Sequence, residues 1–239
     1  MPRIYEYPVP PYDMDMYSAL PPARLIKYCI DATRLAGEED GFPASRLRSE
    51  IGGVWMIARL RVKQWRPIRG HEVLSIGVHD LGMERTSFIR DLDITREGEP
   101  VARSRLCYIV VSPEERKILR PGVVLTLWKE DPPRPTEGLS KIRVPENMRE
   151  LARTNVRFAD CDLNGHFSSS NYADLICEAG GFWANGPALM RELRIDFNAE
   201  LKPGEPITLS VGQDGAYTVM RGAHADGAAG FTARYEAER

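Results

Sequence analysis

Asp160-Cys161-Asp162-Leu163-Asn164-Gly165-His166 places a carboxylate, an amide and an imidazole at alternate positions just before an apolar-periodic segment. If the segment is extended, Asp162, Asn164 and His166 share one side, while Leu163 and Gly165 point the other way. A turn rich in Asx chemistry, capping the helix that follows, accounts for the same string. What decides the fold is that the stretch has an echo. Asp13-Met14-Asp15-Met16-Tyr17-Ser18-Ala19 stands before another apolar-periodic segment near the N-terminus. There the pattern keeps both aspartates but has Tyr17 and Ala19 where the later copy has Asn164 and His166.

Working outward, each copy is followed by one helix and then by strands. Pro21-Pro22 suits a first helical turn, and Leu25, Tyr28, Cys29, Ala32, Leu35 and Ala36 form an apolar stripe that is expected to stop at Gly37. Strands are predicted over 54–63, 72–79, 84–94 and 101–111. In the second copy a helix is predicted over 170–184, with the stripe Tyr172, Leu175, Ile176, Ala179 and Trp183, and strands over 189–201, 206–211, 217–223 and 231–235. Two further echoes occur in the same order. Leu60-Arg61-Val62 matches Leu193-Arg194-Ile195, and the run Gly70 to Gly77 matches Gly204 to Val211. A repeated helix followed by antiparallel strands predicts an α+β fold made of a duplicated unit. The proline-rich, charged run 130–147 reads as a linker, dividing the chain into 1–129 and 148–239.

Composition bounds the class. The 239 residues are 43% hydrophobic and 28% charged with a net charge of −2, ordinary for a globular protein and unlike a general nucleic-acid binder. The four cysteines, Cys29, Cys107, Cys161 and Cys177, have neither metal-ligand nor disulfide-framework spacing, so reduced thiols and no metal are expected. No signal peptide and no span of about 18 apolar residues is visible. The expectation is a cytoplasmic protein with no membrane span, no nucleic-acid partner and no cofactor.

Arg157-Phe158-Ala159-Asp160-Cys161-Asp162-Leu163-Asn164-Gly165-His166, with Tyr172 six residues beyond the histidine, resembles the D-x-N-x-H segment of the acyl-acyl carrier protein thioesterases of plants and bacteria. Ile195-Asp196-Phe197-Asn198-Ala199-Glu200 resembles that family's strand carrying an essential glutamate. Trp55 to Arg59, Glu84 to Asp91 and Arg116 to Pro121 are also similar to it. Two positions depart from the family pattern: Ser168 and Ser169 replace paired asparagines, and Leu201 stands where plant members often have cysteine.

The resemblance implies two tandem hotdog domains, each a central helix on an antiparallel sheet. The C-terminal one would carry the catalytic set Asp162, Asn164, His166 and Glu200; the N-terminal one would supply shape and a substrate surface. It further implies hydrolysis of fatty acyl-acyl carrier protein to free fatty acid. Glu200 and His166 would activate water, Asn164 would position the water or thioester, and Asp162 would orient the network. A backbone N–H at the start of the second helix would polarise the thioester carbonyl. The implied partner is acyl carrier protein with its phosphopantetheine-linked acyl chain; monomer and homodimer both stay open.

No G-x-S-x-G elbow is present, and Asp160 and Asp162 should weaken any Cys161 thiolate. Arg59, Arg61, Lys63, Arg66 and Arg69 form a basic run that reads either as a docking surface or as an outer strand face. Tyr28 and Trp183 read as core or as lining of an acyl tunnel. Alternatives within the fold are a 3-hydroxyacyl dehydratase, an acyl-CoA thioesterase and a non-catalytic acyl-binding protein; the lack of a proline after Gly165-His166-Phe167 disfavours the dehydratase.

Overall fold

The structure, a computed structural model, describes residues 2–127, 133–182, 184 and 186–238. Trp183 and the start of the expected linker, Glu130 to Pro132, lie outside the described residues.

In chain order the first half holds β1 (Arg3–Pro8), α1 (Pro22–Glu39), α2 (Ala44–Ile51), β2 (Val54–Gln64), β3 (Val73–Val78), β4 (Gly82–Glu84), β5 (Ser87–Arg96), β6 (Glu99–Ser112), β7 (Lys117–Ile118) and α3 (Pro121–Leu125). It continues through β8 (Arg134–Pro135) to β9 (Arg149–Asn155), α4 (Asn171–Ala179), β10 (Leu189–Phe197), β11 (Pro206–Asp214), β12 (Tyr217–Ala223) and β13 (Ala229–Glu238). The long strands form one sheet in the order β1-β3-β5-β6-β2-β10-β13-β12-β11-β9. Read from its centre outward, the sheet is the same in both directions: β2 answers β10, β6 answers β13, β5 answers β12, β3 answers β11 and β1 answers β9.

The centre is an antiparallel pairing of β2 with β10 in which Leu60 faces Ile195, Arg61 faces Arg194 and Val62 faces Leu193. Residues equivalent by duplication differ by 133 here, so Arg61 and Arg194 are each other's counterparts and also partners. The pseudo-twofold axis therefore passes between them. The same offset makes Leu74, paired with Tyr7, the counterpart of Ile207, paired with Thr154. It corrects one expected match by a residue: Glu72, not His71, answers Glu205. His71 and Gly204 then coincide as the residues with positive φ, 68° and 80°, and a strand slipped by one would put its apolar side chains on the wrong face.

Alternation sends Leu60, Val62, Leu193 and Ile195 to one face, where they are buried with Leu25, Ile26 and Cys29 of α1 and Tyr172 and Ile176 of α4 in a core shared by both halves. α1 runs through Gly37 to Glu39 rather than stopping there, since the Cβ-less residue only weakens an interior turn whose neighbour Ala36 is buried. α4 is shorter than expected. It ends at Gly180, and Gly181 takes φ 65°, which closes the turn at low steric cost.

Residues 133–147 lie across the opposite face of the sheet. Gly82 and Met83 pair with Arg134 and Pro135 in parallel. Arg59 donates to Leu139 O at 2.9 Å, Arg105 to Glu137 O at 2.8 Å, and Arg194 to Ser140 O; Ile142 N donates to the Asp196 carboxylate at 2.8 Å. Leu139 and Ile142 are buried beneath this strap. It holds β2, β6 and β10 at once, so it fastens the join between the two halves.

Candidate active site

The two aspartate stretches fold into the same turn. Asp15 Oδ1 accepts the N–H groups of Tyr17 and Ala19, both at 2.9 Å; Asp15 N donates to Ala19 O, and Ser18 N donates to Asp15 O. In the second copy Asp162 Oδ1 accepts from Asn164 N at 2.8 Å and His166 N at 3.3 Å, Asp162 N donates to His166 O, and Gly165 N donates to Asp162 O. Ser18 and Gly165 occupy the left-handed region at φ 58° and 74°. Of the two readings the string allows, Asp162 to His166 takes the Asx turn, and the extended alternation of Asp162, Asn164 and His166 is not formed. Asp162's carboxylate spends its bonds on backbone N–H groups and on the Asn164 amide at 3.4 Å, not on the imidazole ring.

The turn hands the chain to a single bridge between Cys161 and Phe167. Phe167 N then donates to Leu201 O at 2.8 Å, as Leu20 N does to Ile68 O in the first copy. That bond draws the loop after β10 against the turn. β10 ends at Phe197, so Glu200 sits in a loop rather than on the strand the sequence suggested. His166 Nε2 lies 3.3 Å from Glu200 Oε2, with side chains 31% and 34% exposed, so the pair is both joined and open to water. The corresponding positions in the first copy are Ala19 and Pro67, which can form no such pair.

Asn164 and Leu163 are exposed at the turn's tip. Beneath it, Tyr172 of α4 is buried and meets Phe167, Phe197 and Phe231 edge-on at centroid distances of 4.6, 5.0 and 5.1 Å. This aromatic floor sets the height of α4 against the turn, at spacings where edge-to-face pairs gain about 0.5–1.5 kcal/mol each. Cys161 is pushed up by burial, then by Asp160 and Asp162, and its Sγ is turned toward Arg157 O. It is a poor nucleophile here. Tyr28, the other tunnel-or-core residue, stacks on Tyr7 at 5.3 Å and donates to Asp13 at 2.6 Å, a packed wall.

The basic run is largely spoken for. Arg59 lies 3.7 Å from Asp196, Lys63 3.1 Å from Glu192 and Arg66 3.6 Å from Glu99, and Arg69 donates to the carbonyls of Tyr17 and Ser18. Arg59, Arg61 and Lys63 do share one face, but it meets carboxylates of β10. The face that carries the basic run is therefore a seam of mixed charge.

Sequence reading did not single out Glu205 and His224. They flank the Glu200 loop and pair with each other; the only signal in the letters was the Glu72–Glu205 match, hidden by the one-residue slip.

Fold and site together define a tandem hotdog protein in which the turn before the central helix presents a histidine to a loop carboxylate, His166 to Glu200, in the second copy and not in the first. Residues 4–121 match the model of the acyl-ACP thioesterase N-terminal domain, and residues 145–233 that of the C-terminal domain. The chain is similar in fold to an acyl-ACP thioesterase from Bacteroides thetaiotaomicron, at TM-score 0.84 and 18% identity over 99% of this chain and 97% of that one. It is also similar to the 12:0-ACP thioesterase from Umbellularia californica, at TM-score 0.77 and 13% identity over 99% and 96%. No curated protein matches it by sequence. The chain belongs to the acyl-ACP thioesterase family: it is a thioester hydrolase acting on fatty acyl-acyl carrier protein.

Proposed function

We propose that the 148–239 half performs the hydrolysis with Glu200 and His166 as the water-activating pair, and that the 1–129 half, with Tyr17, Ala19 and Pro67 at the matching positions, supplies shape. The observation that carries this is the 3.3 Å approach of two water-accessible side chains on separate loops. A water bound between them would lose a proton to the pair as its oxygen attacks the thioester carbonyl. The tetrahedral oxyanion then collapses, the C–S bond breaks, the pantetheine thiolate takes up the proton, and the acid is released.

The start of α4 lies immediately beyond the turn, so its N-terminal dipole and N–H groups support the oxyanion. Asn164 is exposed at the turn's tip, where its side-chain amide holds water or the thioester, and Asp162 acts by setting the turn. A cytoplasmic location fits the four free cysteines; separately, no helix is long and apolar enough to cross a membrane among the described residues.

The test is His166→Ala and Glu200→Gln on acyl-acyl carrier protein, with free thiol and released acid measured together. Each substitution should lower kcat by about 10²–10⁴-fold, the usual contribution of a positioned acid–base group, in a protein that still melts cooperatively. Near-normal turnover in both would overturn the assignment.

A further inference from the structure

The loop bearing Glu200 is tied down at points that the reaction does not use. Asn198 N and Ala199 N both donate to Gly230 O, at 2.9 and 3.0 Å, and Lys202 N donates to Glu205 Oε2 at 2.9 Å. The other oxygen of Glu205 meets His224 Nδ1. His224 Nε2 is buried with no hydrogen-bond partner among the described residues, so the bond to Glu205 is the ring's one side-chain hydrogen bond. Gly230 makes room: a Cβ there would meet Leu201 Cδ2 at 2.9 Å and His224 Nε2 at 3.3 Å.

The first copy builds the same tie from different parts. Glu72 Oε2 accepts from Arg69 N at 3.0 Å, and Glu72 Oε1 accepts from Arg96 at 2.6 Å. Register identifies the counterparts. Thr208 faces Ala223 as Ser75 faces Thr95, so His224 answers Arg96; Ile195 faces Ala233 as Val62 faces Ser104, so Gly230 answers Val101. The copy with the reacting pair has a compact imidazole and a glycine where the other has a long guanidinium and a valine. Both copies fold their loops, so folding alone does not call for that exchange.

We infer that Glu205 and His224 are positioning residues for Glu200, fixing the loop so that its carboxylate meets His166; this rests on the reading of His166 and Glu200 as the reacting pair. Lys202 N and Phe167 N bracket Leu201, so a slack Lys202 end frees Glu200 to swing. Displacements of about 1 Å at a reacting group can cost on the order of 10²-fold in rate.

The duplicated fold supplies the control. Glu205→Ala should lower kcat about 10- to 100-fold with KM changed less than about two-fold, as expected for misplacement of a reacting group. Glu72→Ala removes the equivalent tie in the other copy and should lower Tm while leaving kcat near the parent value. Glu205→Gln keeps an oxygen for Lys202 N–H and should recover most of the lost kcat. If Glu205→Ala does not fold, His224→Ala against Arg96→Ala makes the same comparison. Equal effects on kcat in the two copies, or a Gln variant no better than Ala, would overturn the inference. His166→Ala in the same assay separates the two levels: turnover retained there sinks the underlying pair, whereas turnover lost there with equal Glu205 and Glu72 effects sinks this inference alone.

Discussion

Asp162 and Cys161 are adjacent, yet physical chemistry assigns them opposite fates. Asp162 accepts two backbone N–H groups and thereby fixes the spacing from the turn's start to His166. Asp162→Ala hands both exposed donors to water, and we expect about 0.5–1.5 kcal/mol of lost stability together with a fall in kcat, because the turn that presents His166 loosens. Asp15→Ala should cost similar stability without the kinetic loss; denaturant melts and steady-state rates on the two variants check this. For Cys161 the expected outcome is indifference. Its thiol is pushed up by burial and by the flanking aspartates, so Cys161→Ser should keep kcat, and alkylation of the wild type should slow turnover no more than steric bulk explains. Loss of turnover in Cys161→Ser would point to a covalent route instead. The residue types at the site were legible because His is scarce, with 4 in the chain, and because His166 and Glu200 stand in matching contexts. The turn was less so, since D-x-N-x-H is compatible with an extended strand and with an Asx turn, and only the bonds from Asp162 decide between them.

At the level of elements, β2 and β10 carry the argument, because their pairing converts two sheets into one. Alternation made Arg59, Arg61 and Lys63 legible as one face. It could not show that Glu192, Arg194 and Asp196 would lie directly opposite, since pairing between distant strands is set by the fold as a whole. Glu192 is one of the seam's pH-sensitive members. Burial pushes its carboxyl up, but hydrogen bonds from Arg234 and Lys63 outweigh that and hold it below the usual range. A carboxylate lowered on folding contributes stability that is present above its unfolded value and lost as pH falls through its folded value. Glu192→Gln should therefore lower Tm at neutral pH and flatten its acid-side decline, read from melts across a pH series. An unchanged acid slope would show that the seam's charges are not coupled to folding. Helix and strand ends erred for local reasons: the predicted α4 continued through Gly180-Gly181, where positive φ stops it, and β10 was carried to Leu201 although the loop that frees Glu200 begins after Phe197.

Across the whole molecule, duplication has produced one folding unit rather than two beads on a string. The core is shared: residues of α1 and β2 and residues of α4 and β10 belong to one buried apolar cluster. Strap residues 133–147 bind both sides of the join. Separating the halves would bare one long edge on β2 and another on β10, with Leu60, Val62, Leu193 and Ile195 losing their cover on the core face. Such edges template aggregation, and each fully buried aliphatic left exposed forfeits about 1.5–3 kcal/mol, a large share of a typical domain's net stability. Residues 1–127 and 133–239 produced separately should therefore fail to give a cooperative thermal transition as monomers. Produced together they should associate through the β2–β10 edge and recover hydrolysis in proportion to their concentration, since the partner stabilises the folded form by mass action. The measurement is melting and turnover of each fragment alone and of the mixture over a range of concentrations. A 133–239 fragment that melts cooperatively as a monomer and hydrolyses acyl-acyl carrier protein unaided would show that the first copy is an accessory, and that the shared core is not what holds His166 and Glu200 together.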